Sequence, residues 1–138
     1  MKLNRYWIPV WGFALLIFAV SSIPGLTGSI PVKNDFFFAD IFHNPNKFGH
    51  LIEFGMFGWL CLRALVWGSQ FSLRKAAFLA FLIAAAYGAS DEWHQYFVPN
   101  RTCALDDWVA DCIGSLLTIL ILVPFYSKKL LSDGKQSC

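Results

Sequence analysis

Residues 76–97 read AAFLAFLIAAAYGASDEWHQYF, an apolar run that carries no charge until Asp91 and Glu92. A helix needs about 20 apolar residues to cross the roughly 30 Å hydrocarbon core of a bilayer, and in lipid it satisfies its own backbone hydrogen bonds. The stretch is therefore expected to span a membrane and to end in a polar cluster. Residues 7–23, 48–67 and 108–126 are apolar stretches of comparable length. Of the 138 residues 57% are hydrophobic and only 14% charged, too few charges to cover a soluble domain. The expected fold class is all-α: one polytopic membrane domain over residues 1–138, with four transmembrane helices in a bundle.

Orientation follows from Lys and Arg, which accumulate on the cytoplasmic side of short connections. Lys2 and Arg5 precede the first span; Arg63, Arg74 and Lys75 flank the turn between the second and third; Lys128, Lys129 and Lys135 follow the fourth. Both termini are thus expected in the cytoplasm, as an even number of spans requires. Ser21-Ser22-Ile23-Pro24 gives no convincing small-x-small cleavage site, so the first stretch reads as a retained helix rather than a signal peptide. Arg63, about one turn inside its span, is expected to snorkel. The outer connection, residues 24–46, carries Phe36, Phe37, Phe38, Ile41 and Phe42; it reads either as an interfacial aromatic belt or as the wall of a lipid site.

A net charge of +2 and the lack of a basic stripe argue against nucleic-acid binding. Cys61, Cys103, Cys112 and Cys138 show no CxxC or CxxH spacing, which argues against a thiolate zinc site. A disulfide between Cys103 and Cys112 would require a frayed helix start, because a helix rises about 1.5 Å per residue. Cys61 and Cys112 read as small packing residues.

Ionisable groups within spans are costly and usually face a bundle interior or a wet cavity. Lys47, His50 and Glu53 recur at i, i+3, i+6 along one face of the second span, starting at its outer end. Asp91, His94 and Gln95 share a face at the outer end of the third, with Glu92 beside them. Asp107 and Asp111 form an i, i+4 pair opening the fourth, Gly114 follows one turn later, and Arg101 sits in the short loop between. Three helix ends and one loop deliver polar groups to one membrane depth. The positive charges of Lys47 and Arg101 face six acids, Glu53, Asp91, Glu92, Asp106, Asp107 and Asp111. That acidic excess calls for bound protons, a cation or free access of water.

Several readings fit these residues. The polar groups could simply tie the helices together at the wet interface. A divalent metal could be held by His50, Glu53, Asp91 and His94, since each His/carboxylate pair lies on one helical face, although Lys47 in the same row would repel it. Lys47 and Arg101 could clamp a phosphate or carboxylate, with Glu92, Asp91, His94 or His50 exchanging protons. Glu53, Gln95, Asp107 and Asp111 would complete the binding surface.

The same residues carry a family resemblance. Asn46-Lys47-Phe48-Gly49-His50-Leu51-Ile52-Glu53-Phe54 resembles the Asp-Lys-x-x-His-x-x-x-Tyr stretch of the VanZ-like family of small bacterial membrane proteins, with Asn46 for the usual acid and Phe54 for the usual tyrosine. Asp91-Glu92-Trp93-His94-Gln95 through Pro99-Asn100-Arg101 resembles its Asp-Glu-x-x-Gln segment ending in Pro-x-Arg. Asp107, Asp111 and Gly114 fit its Asp-x-x-x-Asn-x-x-Gly pattern, and Ser21 through Pro24 its Ser-x-x-Pro feature. The resemblance implies a multi-pass protein of the bacterial plasma membrane, belonging to the cell envelope and linked through the family's name to glycopeptide (teicoplanin) resistance. Three functions are expected to compete: an envelope transferase or hydrolase acting on an amphiphilic or lipid-linked anionic ligand in a pocket facing the extracytoplasmic side, a non-catalytic binder that shields such a precursor, and an ion- or proton-coupled transporter. A transport path would need an oligomer, since the inner half of the bundle has no matching polar row.

Overall fold

The computed structural model of the chain describes residues 5–25, 44–69 and 71–133. These residues form four helices and no strand: α1 (Ile8–Ser21), α2 (Pro45–Gly68), α3 (Leu73–Gln95) and α4 (Leu105–Ser132). The last three are long and apolar enough to cross a membrane. The first is equally apolar, but its 14 residues extend only about 21 Å at 1.5 Å per residue. The length criterion is therefore met three times, where the sequence suggested four. Phe36, Phe37, Phe38, Ile41 and Phe42 lie outside the described residues, as do Lys2, Lys135 and Cys138.

Helix boundaries follow local chemistry. The second helix begins ahead of residue 48 because Asn44 caps it, its side chain accepting from the Asn46 N–H at 3.1 Å, and because Pro45 is pre-shaped for a first turn. The fourth continues past Tyr126 to Ser132 and contains Pro124, a residue membrane helices tolerate where neighbours re-satisfy the freed backbone. At this end the Lys129 ammonium lies 5.4 Å from the Trp67 ring centre and the Arg63 guanidinium 5.4 Å from that of Tyr6. Arg63 thus turns its charge onto an aromatic face at the start of α1.

The second helix is the hub, packed against the other three. Its contact with α4 is backbone to backbone: a Cβ on Gly114 would sit 2.1 Å from the Leu51 carbonyl oxygen, and one on Gly58 3.0 Å from Cβ of Ser115. Small residues permit such approach where apolar burial alone drives little association. The third helix presents Ala76, Ala80, Ala84 and Gly88 at i, i+4 spacing, all buried. Phe54, Phe57 and Tyr87 fill the centre, and the Tyr87 hydroxyl donates to the Ala14 carbonyl at 2.6 Å, tying α3 to α1. Cys61 is fully buried among these residues, the packing role expected of it.

Candidate functional site

The start of α2, the end of α3 and the start of α4 meet at one end of the bundle. Between α3 and α4, Val98-Pro99-Asn100-Arg101 forms a β-turn closed by the Arg101 N–H on the Val98 carbonyl at 3.2 Å. Proline suits the second position of such a turn, and Asn100 takes the left-handed conformation at the third with φ 60°. This turn gives the Pro-x-Arg pattern its physical meaning, because it folds Arg101 back over the end of α1. There the guanidinium donates to the Val20 carbonyl at 3.1 Å and the Ile23 carbonyl at 3.4 Å.

Side-chain links join the helix ends. His50 Nδ1 lies 2.9 Å from Asp111 Oδ1, with the Asp111 side chain fully buried. Lys47 ion-pairs with Asp106. The Asn46 amide donates to Asp107 at 3.4 Å. Glu92 Oε2 accepts the Ala104 backbone N–H at 2.8 Å, one of the donors that the start of α4 leaves outside its own helical bonds. Lys47, His50, Asp91, Glu92, Gln95, Asp107 and Asp111 are all buried. The Asp111 carboxylate packs on Gly88, where a Cβ would come within 2.9 Å of Oδ2.

The end of α3 distributes its polar residues three ways. Glu92 turns to α4, Gln95 donates to Asp91 at 2.9 Å, and His94 turns to α1. His94 Nε2 lies 3.0 Å from the Ser22 hydroxyl, and its ring lies 4.5 Å from that of Phe18. Two cavities flank this end. One, of about 370 Å³, is lined by Asn46, His50, Glu53, Gln95 and Arg101 with Phe13, Val20 and Ile52 among its apolar walls; the other, of about 360 Å³, by Asp91, His94 and Ser90 with Phe18, Tyr87, Trp93 and Phe97.

This geometry bears on three arrangements that the sequence left open. His50, Glu53, Asp91 and His94 are not brought together as one metal set: His50 turns to Asp111 on α4, whereas His94 turns to Ser22 at the end of α1. Arg101 lines the larger cavity, whereas Lys47 is not among its lining residues and pairs with Asp106. Cys103 and Cys112 are free thiols, the first exposed and the second half-buried, so the disulfide is not formed. Among the described residues the potential metal donors that do converge are His50, Glu92 and Asp107, whose ligand atoms lie within 4.8 Å of one another.

Asn46 and Asp106 enter the site through bonds that sequence reasoning did not assign. Asn46 stands where the resembling pattern carries an acid, which was its only signal. Asp106 is one residue off the face shared by Asp107 and Asp111, and spacing gave it no partner. A family model described as VanZ/LLP1 matches residues 6–127. Neither the curated proteins nor the solved structures give a match.

Proposed function

This chain belongs to the VanZ/LLP1 family, the VanZ-like proteins, and from that membership we propose that it is a cell-envelope protein of the bacterial plasma membrane that binds an anionic amphiphile. In this reading all four helices cross or enter the bilayer, both termini lie in the cytoplasm, and the polar end faces outward. The observation that carries the reading is the larger cavity, where Arg101, His50, Glu53 and Gln95 share one space with Phe13, Val20 and Ile52. A polar end bounded by apolar walls suits a headgroup with its chain, and a guanidinium suits phosphate or carboxylate. The family's name links it to teicoplanin resistance, and sequestering a lipid-linked envelope precursor would serve such a phenotype without turnover.

Turnover by a transferase or hydrolase is a second reading, favoured by one feature. His50 lines the cavity and has a buried carboxylate on its other nitrogen, an arrangement that fixes an imidazole's tautomer for proton transfer. Transport has less support: the described core away from the site is built from residues such as Phe57, Leu62, Leu65, Ala76 and Ala80, which offer no proton path.

Mass spectrometry of lipids retained by the purified protein tests the proposal. Wild type should retain an anionic species that Arg101→Gln, matched for folded yield, loses. Identical lipid profiles would reject the binding reading, and a lipid altered only in cells expressing the wild type would favour turnover.

A further inference from the structure

We infer that His50, Glu92 and Asp107 form a site for one divalent transition-metal ion of the manganese-to-zinc class, at the junction of α2, α3 and α4. Three observations carry it independently of the lipid reading. First, one nitrogen and two carboxylate oxygens, from three helices and all buried, lie within 4.8 Å of one another. Ligands of a bound ion sit about 2.0–2.2 Å from it, so the donors would draw in slightly to reach it.

Second, Glu92 is only 3% exposed, and its Oε1 has no hydrogen-bond partner although Oε2 accepts from the Ala104 N–H. A buried carboxylate oxygen without a donor is costly, and an ion among these three side chains would supply the missing positive charge. Third, His50 uses Nδ1 toward Asp111, leaving Nε2 as the ring nitrogen for an ion. An imidazole that binds a metal through one nitrogen and a buried carboxylate through the other is the usual outer-shell arrangement of histidine ligands. Repulsion by Lys47 weighs less than its position in the sequence suggests, because its ammonium is paired with Asp106.

A mixed imidazole and carboxylate set favours Mn²⁺, Fe²⁺, Co²⁺ or Zn²⁺ over Ca²⁺, which takes oxygen ligands alone. Three protein ligands leave coordination positions open. With an ion in place His50 would be a ligand and not a base, and an open position would be available to an anionic headgroup.

The test uses the full chain in detergent, stripped with chelator and titrated separately with Zn²⁺ and Mn²⁺, with bound metal counted by plasma mass spectrometry. Saturable uptake of about one ion per chain is expected, weakened on the order of 100-fold by Glu92→Gln or Asp107→Asn and unchanged by Asp133→Asn at the far end of α4. Should those variants fail to fold, X-ray absorption of the zinc-loaded wild type decides: nitrogen and oxygen ligands with one imidazole support the site, whereas a sulfur ligand at about 2.3 Å assigns the ion to cysteine. No saturable uptake of either ion, or uptake indifferent to Glu92 and Asp107, overturns the inference. Because no lipid is added, this outcome is independent of the lipid-retention experiment.

Discussion

His50 Nδ1 and Asp111 Oδ1 lie 2.9 Å apart beside the close backbone approach of α2 and α4 at Leu51 and Gly114. Asp111 has no exposure, and its place exists because Gly88 of the third helix provides no Cβ to fill it. Its second oxygen, Oδ2, has no hydrogen-bond partner, so the carboxylate is held chiefly through the imidazole. Replacing Asp111 with Leu would leave His50 Nδ1 without its partner, at a cost of about 1–3 kcal/mol. Asp111→Asn keeps the shape but changes what His50 meets. We expect the leucine variant to melt at clearly lower temperature, and the asparagine variant to melt near wild type while binding Zn²⁺ about 10- to 100-fold more weakly. Equal zinc affinity in wild type and Asp111→Asn would remove the positioning role.

Gly114 tests the backbone contact that brings those two residues together. The added methyl of Gly114→Ala would fall 2.1 Å from the Leu51 carbonyl oxygen, which cannot rotate away, whereas a Cβ at Gly12 meets nothing within 4 Å. Overpacking of this kind costs about 1–3 kcal/mol, so thermal unfolding followed by size-exclusion chromatography should show a marked loss for Gly114→Ala and none for Gly12→Ala. Equal melting of the two variants would mean that α2 and α4 separate easily.

The membrane character, the long helices and the polar end were legible because each rests on a property of single segments. Apolar length gives α2, α3 and α4, and helical spacing gives the His50 and Asp111 faces. Which acid meets which base was not legible, because that depends on the rotation of one helix against another. Asp106, one position off the i, i+4 pair, reaches Lys47 for this reason, and Glu92 leaves its sequence neighbours to accept from Ala104. The tight approach at Gly114 was visible only as a small residue one turn after Asp111. Asn100, by contrast, explains after the fact why a proline-containing pattern ends in arginine: its positive φ closes the turn that sets Arg101 in place.

Arg101 should not be replaceable by lysine. Its guanidinium donates through Nη2 to Val20 and through Nε to Ile23, a planar fork that a single ammonium does not reproduce. If the cavity binds an anionic headgroup, Arg101→Lys should keep the charge yet weaken retention of the anionic lipid by about tenfold, equivalent to about 1.4 kcal/mol, and Arg101→Gln should weaken it further. Quantitative lipid mass spectrometry on matched preparations checks the order. Full retention by the lysine variant would show that charge alone suffices and that the fork has no part in recognition.

Cys103 reports which side of the membrane the site occupies. It is an exposed free thiol in the connection between α3 and α4, at the site end of the bundle, while Cys61 is buried and Cys112 half-buried. With Cys112 and Cys138 replaced by serine, a membrane-impermeant maleimide has one accessible target among the described residues. From the distribution of Lys and Arg that connection is expected outside, so right-side-out vesicles should label at Cys103 without permeabilisation, and Cys103→Ser should abolish the signal. Labelling that requires permeabilisation would turn the bundle over and set the His50, Glu92 and Asp107 cluster toward the cytoplasm. An extracytoplasmic lipid-linked precursor could then no longer be its ligand, although the metal site, which depends only on the packing of α2, α3 and α4, would be unaffected.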